Sequence, residues 1–219
     1  MSIPNWRPDR RTPVASAPIL TTVAAQIWLI RHGETEWSRA GRHTGRTDIP
    51  LTADGEAEAS ALAGPISGIT AGLVLCSPLQ RARETARLAG LHPDAYDDDL
   101  LEWDYGAWEG RTTPEIRTEL ADPDWLVWDH PVPPGDTPGE QLDDVRRRVH
   151  RVLDRCLPVL VDGGECVLVA HGHVLRMLTA TWLGLPPIDG RMFALSAGRL
   201  SALGFEHETH VITLWNSSG

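Results

Sequence analysis

The chain has 219 residues, 42% of them hydrophobic, and a formal charge of -10, a size that supports one core of ordinary dimensions, or a core with an inserted cap, rather than several domains. Nucleic acids and membrane surfaces are negatively charged and repel a net-acidic protein at long range, so neither is expected as a partner. The three cysteines, Cys76, Cys156 and Cys166, share no short metal-ligand spacing and read as structural thiols of a reducing compartment, the cytoplasm.

Residues 1–25 carry Pro4, Pro8, Pro13 and Pro18 with little hydrophobic periodicity, and read as an irregular extension. Arg10 and Arg11 precede an apolar stretch as in a secretion signal, but Pro18 and three threonines interrupt it. The remainder, 26–219, reads as the folded domain. Three short apolar runs, "IWLI" (27–30), "LVLCS" (73–77) and "CVLVA" (166–170), are continuous rather than alternating, as strands covered on both faces should be.

Helical patterns fall between and after these runs. "LTADGEAEASALAG" predicts a helix starting at Thr52 and stopping near Gly64. In "SPLQRARETARLAG", Ser77 is placed to N-cap, Pro78 to take the first helical position and Gln80 to complete a capping box. Thr137, Pro138 and Glu140 repeat that signal ahead of a helix whose apolar stripe is Leu142, Val145, Val149, Val152 and Leu153, and whose Arg146, Arg147, Arg148, Arg151 and Arg155 read as its solvated face. A last helix over about 174–183 ends at Gly184. "RLSALGFEHETHVITLW" predicts two strands around a polar turn, and the segment 101–136, with four tryptophans, many prolines and one short helical stretch near 114–120, is too long for a plain connector and predicts a cap beside the site. Strand and helix alternate, so the fold class is α/β: a three-layer sandwich with a mostly parallel central sheet, an antiparallel edge and an inserted cap. The exposed strand edge and the C-terminal hairpin are compatible with a homodimer.

In such sheets ligands collect at the carboxyl ends of the strands. The first run delivers Arg31 and His32 there, the second the Ser77 turn with Arg81 in the following helical turn, and the third His171. Singly, each arginine reads as a surface ion-pair partner and His171 as a hydrogen-bonded structural residue. Convergence at three strand ends changes the reading: two guanidinium groups, two imidazoles and a helix N-terminus describe a phosphate pocket. Gly33 and Gly172, next to the two histidines, would let backbone approach a ligand.

Together "LIRHGETEW", "SPLQRARETA", "LEWDYGAWEG" and "VAHGH" resemble, in order and separation, the histidine phosphatase superfamily, the phosphoglycerate-mutase-like fold, in its phosphatase branch, over about 26–216. The resemblance implies that His32 becomes phosphorylated, that Arg31, Arg81 and His171 hold the phosphoryl group, and that Glu102 is the proton donor. It places Thr44 and Gly45 at substrate-contacting positions and Ser38 where relatives frequently have Asn. It also implies a phosphohistidine route to hydrolysis with no metal and no cofactor, the positive charge coming from Arg31, Arg81 and a protonated His171, with a carboxyl pKa raised at Glu102.

The mutase branch carries extra basic residues after the acidic block. "GAWEGRTTPEI" and "ADPDWLVWDH" occupy those stretches here without a matching lysine or arginine pair. Water is therefore expected to take the phosphoryl group, from a small phosphorylated metabolite such as a sugar phosphate; a phosphoglycerate-type mutase is the alternative. Selectivity is expected from Trp37, Arg42, His43, Arg46, Trp103, Tyr105, Trp108 and the 121–135 loop, with Asp104 and Glu109 rejecting highly anionic substrates. Two rival classes compete with this reading: a metal site built on His171 and His173, and a non-catalytic binder of phospho-ligands.

Overall fold

The computed structural model describes residues 25–218, so the extension expected over 1–25 lies, apart from Ala25, outside the described residues. Thirteen regular elements follow in chain order: β1 (Gln26–Arg31), α1 (Glu36–Arg39), α2 (Ala53–Ala61), α3 (Ala63–Ile66), β2 (Ala71–Cys76), α4 (Gln80–Leu88), β3 (Ala95–Tyr96), α5 (Thr113–Leu120), α6 (Leu142–Val161), β4 (Glu165–Ala170), α7 (Gly172–Trp182), β5 (Leu200–Glu206) and β6 (Thr209–Ser217). The strands form one six-stranded sheet in the order β3-β2-β4-β1-β5-β6. β1, β2, β3 and β4 run parallel, while β5 pairs antiparallel with β1 and β6 antiparallel with β5. This is the expected α/β sandwich with its antiparallel edge.

The period of two along each central strand divides the core into two layers. Ile27, Leu29, Cys166, Leu168 and Ala170 face the side covered by α6 and α7, where Val145, Val149, Val152 and Leu178 meet them. Ile30, Val167 and Val169 face the other side, against Leu62, Ile66, Ala82 and Ala86 from the α2 to α4 region. Both faces of β1 and β4 are thus filled, which is why these strands read as unbroken apolar runs.

Two helix starts differ from the sequence reading, and tertiary partners explain both. α4 begins at Gln80 with Leu79 at the N-cap and no side-chain cap of its own. Asp48 replaces it from a distant loop, its carboxylate accepting from the Gln80 backbone N–H at 2.8 Å, while the Ser77 hydroxyl sits 2.7 Å from His171 Nε2. α6 starts at Leu142 behind a Gln141/Asp144 capping box; Thr137 is drawn to Asp104 and Glu140 to Arg148. Arg148 is also the exception on the arginine face of that helix, only 4% exposed.

Candidate active site

His32 follows the last residue of β1 and is pinned through its backbone, its N–H donating to Ala170 at 3.0 Å and its carbonyl accepting from Gly198 at 3.0 Å. The next N–H, that of Gly33, donates to the Thr85 hydroxyl at 3.0 Å. Gly33 is a glycine because the chain passes against Gly55: a Cβ there would lie 2.2 Å from the Gly55 carbonyl oxygen. The close approach is therefore to the protein's own backbone rather than to a ligand. His32 Nδ1 lies 2.7 Å from the Gly33 carbonyl; a carbonyl only accepts, so Nδ1 carries the proton and Nε2 keeps its lone pair. Burial, reinforced by Arg81 and Arg31, holds this imidazole well below its ordinary titration range.

His171 stands 5.1 Å from His32 between ring centres. Arg81 Nε donates to His171 Nδ1 at 3.1 Å, so Nδ1 is the unprotonated nitrogen and Nε2 donates to Ser77. Burial, then the charges of Arg81 and neighbouring groups, depress its pKa well below the normal value. The expectation of a protonated His171 is therefore corrected: the ring is neutral, because an arginine donates to one nitrogen and, among the described residues, no carboxylate hydrogen-bonds to it. The rest of the Arg81 guanidinium donates to the carbonyls of Thr47 at 2.8 Å, Gly45 at 2.9 Å and Thr44 at 3.2 Å. Arg81 and His171 are both fully buried, their polar atoms are taken up by protein partners, and neither is on the wall of the cleft that Arg31 and His32 line.

Arg31 donates through Nη1 to the Leu195 carbonyl, and its Nε is buried without a protein partner. Space for this guanidinium comes from Gly172, where a Cβ would stand 3.3 Å from Arg31 Cζ. A buried N–H of a cation with nothing to donate to is costly, and an anion would relieve it. Glu102 faces the same cleft from the other side. Its Oε1 accepts from the backbone N–H groups of Trp103 and Val174, both at 2.9 Å, and its Oε2 from that of His173 at 2.9 Å. Two of these donors are N–H groups of the first turn of α7, so the carboxylate caps that helix from 71 and 72 residues away in sequence.

The cleft has a volume of about 210 Å³ and is lined by Arg31, His32, Glu102, Ser38 and Thr44, together with Gly41, Arg42, His43, Tyr105, Gly172, His173 and Arg176. Gly45 is not on its wall: its N–H donates to Glu109 at 2.9 Å and its carbonyl serves Arg81. Ser38 lines the cleft with its hydroxyl engaged by Thr35 in a capping box. Glu109 and Asp104 turn inward onto backbone N–H groups, Glu109 onto Gly45 and Thr47 and Asp104 onto Gly106 and Gly139; the role of repelling anionic substrates is corrected accordingly. A larger open groove of about 610 Å³, lined by Arg83, Arg87 and Tyr96 among others, contains none of the converging residues.

Arg176 was not singled out from the sequence. It stacks over Trp128 at 4.8 Å and donates from Nε to Gly190 at 3.0 Å and from Nη2 to Arg191 at 2.7 Å. The available signal was its position three residues after His173, on the same helical face. His173 bonds through Nδ1 to the Tyr105 hydroxyl, and burial holds His173 well below and His43 down to about 4, so both walls are neutral imidazoles. The His171/His173 metal reading is not supported: both nitrogens of His171 and Nδ1 of His173 already have protein partners, and among the described residues no three His, Cys, Asp or Glu side chains group to hold a metal ion. No helix among the described residues is long and apolar enough to cross a membrane.

Known proteins are similar to this chain in sequence and fold. The chain is 38% identical over 197 residues to an acid phosphatase of Mycobacterium tuberculosis, covering 89% of this chain and 93% of that protein. It is 33% identical over 198 residues to the adenosylcobalamin/alpha-ribazole phosphatase of Escherichia coli, covering 88% and 96%. The solved structure of a Mycobacterium tuberculosis open reading frame superposes with a TM-score of 0.82 at 35% identity, covering 89% of this chain and 99% of that one. The family description "Histidine phosphatase superfamily (branch 1)" matches residues 27–218, and the chain belongs to that superfamily as a phosphatase.

Proposed function

We propose that the protein is a metal-independent phosphomonoesterase acting on a small phosphorylated metabolite through a phosphohistidine on Nε2 of His32. The observation that carries this reading is the His32 tautomer: Nδ1–H is spent on the Gly33 carbonyl, which leaves the Nε2 lone pair as the nucleophile in a cleft shared with Arg31 and Glu102. Nε2 attacks phosphorus as the bond to the leaving oxygen breaks, and that oxygen takes a proton from Glu102. The resulting carboxylate then removes a proton from water, whose oxygen attacks phosphorus, and cleavage of the P–N bond releases inorganic phosphate and restores His32. Oε2 of Glu102 is suited to carry the proton, since it accepts from one backbone N–H whereas Oε1 accepts from two. The guanidinium of Arg31, with its unpartnered Nε, supplies paired donors to the phosphoryl oxygens.

The cleft volume favours a small leaving group, and the neutral His43 and His173 with Tyr105 suit one bearing hydroxyls. Arg42 and Arg176 on the same wall favour the second reading, a mutase that grips a further negative group. Incubation with a panel of phosphomonoesters that includes 3-phosphoglycerate tests both: phosphate release should outpace isomerisation, and His32→Ala should lose at least about 1,000-fold in kcat. EDTA should leave the activity unchanged. Normal hydrolysis by His32→Ala would refute the nucleophile, and loss in EDTA restored by a divalent ion would refute the metal-free scheme.

A further inference from the structure

We infer that Arg148 and Glu140 are positioning residues for Glu102, holding the segment 99–104 so that its carboxyl meets the leaving oxygen; this rests on Glu102 being the proton donor. Neither residue lines the cleft. Yet Arg148, 4% exposed, spends its whole guanidinium on this segment and on Glu140. Nη1 donates to the carbonyls of Asp99 at 2.9 Å and Leu101 at 2.5 Å, immediately before Glu102. Nε and Nη2 donate to the two carboxylate oxygens of Glu140 at 2.8 and 3.0 Å, a forked pair whose geometry fixes both partners.

Glu140 then grips the other side of Glu102. Its Oε2 accepts from the Asp104 N–H at 2.9 Å, its own N–H donates to the Asp104 carbonyl at 2.9 Å, and its carbonyl accepts from the Trp103 indole at 2.7 Å. The ion-paired side chains thus hold residues 99, 101 and 104, the Glu140 backbone adds Trp103 and a second bond to Asp104, and Glu102 lies between them. The same Glu140 oxygen receives Arg46 at 3.2 Å, next to the 44–47 carbonyls that hold Arg81. Burying a charged pair gains little stability over apolar packing, so stability alone does not account for this pair, whereas the placement it enforces does. The segment otherwise lacks regular structure between Leu101 and Tyr105, and a shift of about 1 Å in a proton donor can cost on the order of 100-fold.

The test uses Arg148→Lys and Glu140→Gln, compared on p-nitrophenyl phosphate, whose leaving group departs without a proton, and on an alkyl phosphate, whose leaving group needs one. In kcat/KM, which reports steps only through leaving-group departure, each variant should keep the aryl substrate within about twofold and lose roughly 10-fold or more on the alkyl substrate. In a Glu102→Gln background the same substitutions should cost nothing further on the alkyl substrate. Equal losses on both substrates, or an undiminished loss in the Glu102→Gln background, would overturn the inference. A Glu102→Gln enzyme that handles alkyl phosphates normally would instead remove Glu102 as the donor, and this assignment with it.

Discussion

Four histidines, the buried His32 and His171 and the half-buried His43 and His173 of the cleft wall, share one property: desolvation is the largest cause depressing each pKa. Their folded-state values lie below the unfolded value of about 6.5, so in the window beneath 6.5 the unfolded chain binds protons that the folded one refuses. Stability is fully present above that value and is lost as pH falls, at up to about 1.4 kcal/mol per pH unit for each histidine that stays neutral. Thermal melts should therefore show Tm falling steeply between pH 6.5 and 4.5, and a flat Tm over that range would contradict the four assignments. The same depression keeps His32 a free base. With His32 as the proposed nucleophile, kcat/KM should show no acid limb near pH 6.5, and a loss of activity centred there would mean that His32 titrates normally.

At the scale of elements, the β1 to α4 contact sets the position of His32. Gly33 donates to Thr85 on α4 and packs on Gly55 of α2, so the residue after His32 is fixed by two helices on one face of the sheet. Thr85→Val keeps the shape and leaves the Gly33 N–H buried without an acceptor, a cost of about 1–3 kcal/mol; denaturant unfolding should show it with activity reduced alongside. Gly33→Ala should cost about 3 kcal/mol or more, because the new methyl meets backbone rather than a movable side chain. Full expression and wild-type stability of Gly33→Ala would show that the Gly33/Gly55 contact is looser than the distance implies. These elements also separate what was readable from what was not. The Thr112/Glu115 capping box of α5 lies within four residues and matches the predicted stretch near 114–120. The cap of α4 comes from Asp48, 32 residues away, where no local pattern points.

For the whole molecule, the two-layer core makes the strand residues common property of both faces. Leu168, fully buried in the central β4, should lose about 2–5 kcal/mol on replacement by Ala. For a domain of this size that corresponds to roughly 2–4 °C in Tm for each kcal/mol, and a shift under 2 °C would indicate a core that collapses freely into the space. The strand ends of that core also bring β1, β2 and β4 residues to one spot, and the long excursion between β3 and β4 returns Glu102 over it.

The order of the apolar runs, their double-sided burial and the superfamily of the chain were legible in the sequence, because strand periodicity and motif spacing are local properties. The tertiary structure alone decided that His171 is neutral, that Arg148 leaves its helix's solvated face to hold the Glu102 segment, and that Arg176 joins the cleft. Each of these depends on burial and on partners 14 to 90 residues away. A charge's state and orientation follow from the groups that surround it in space, and the chain's local pattern records the residue without recording those neighbours.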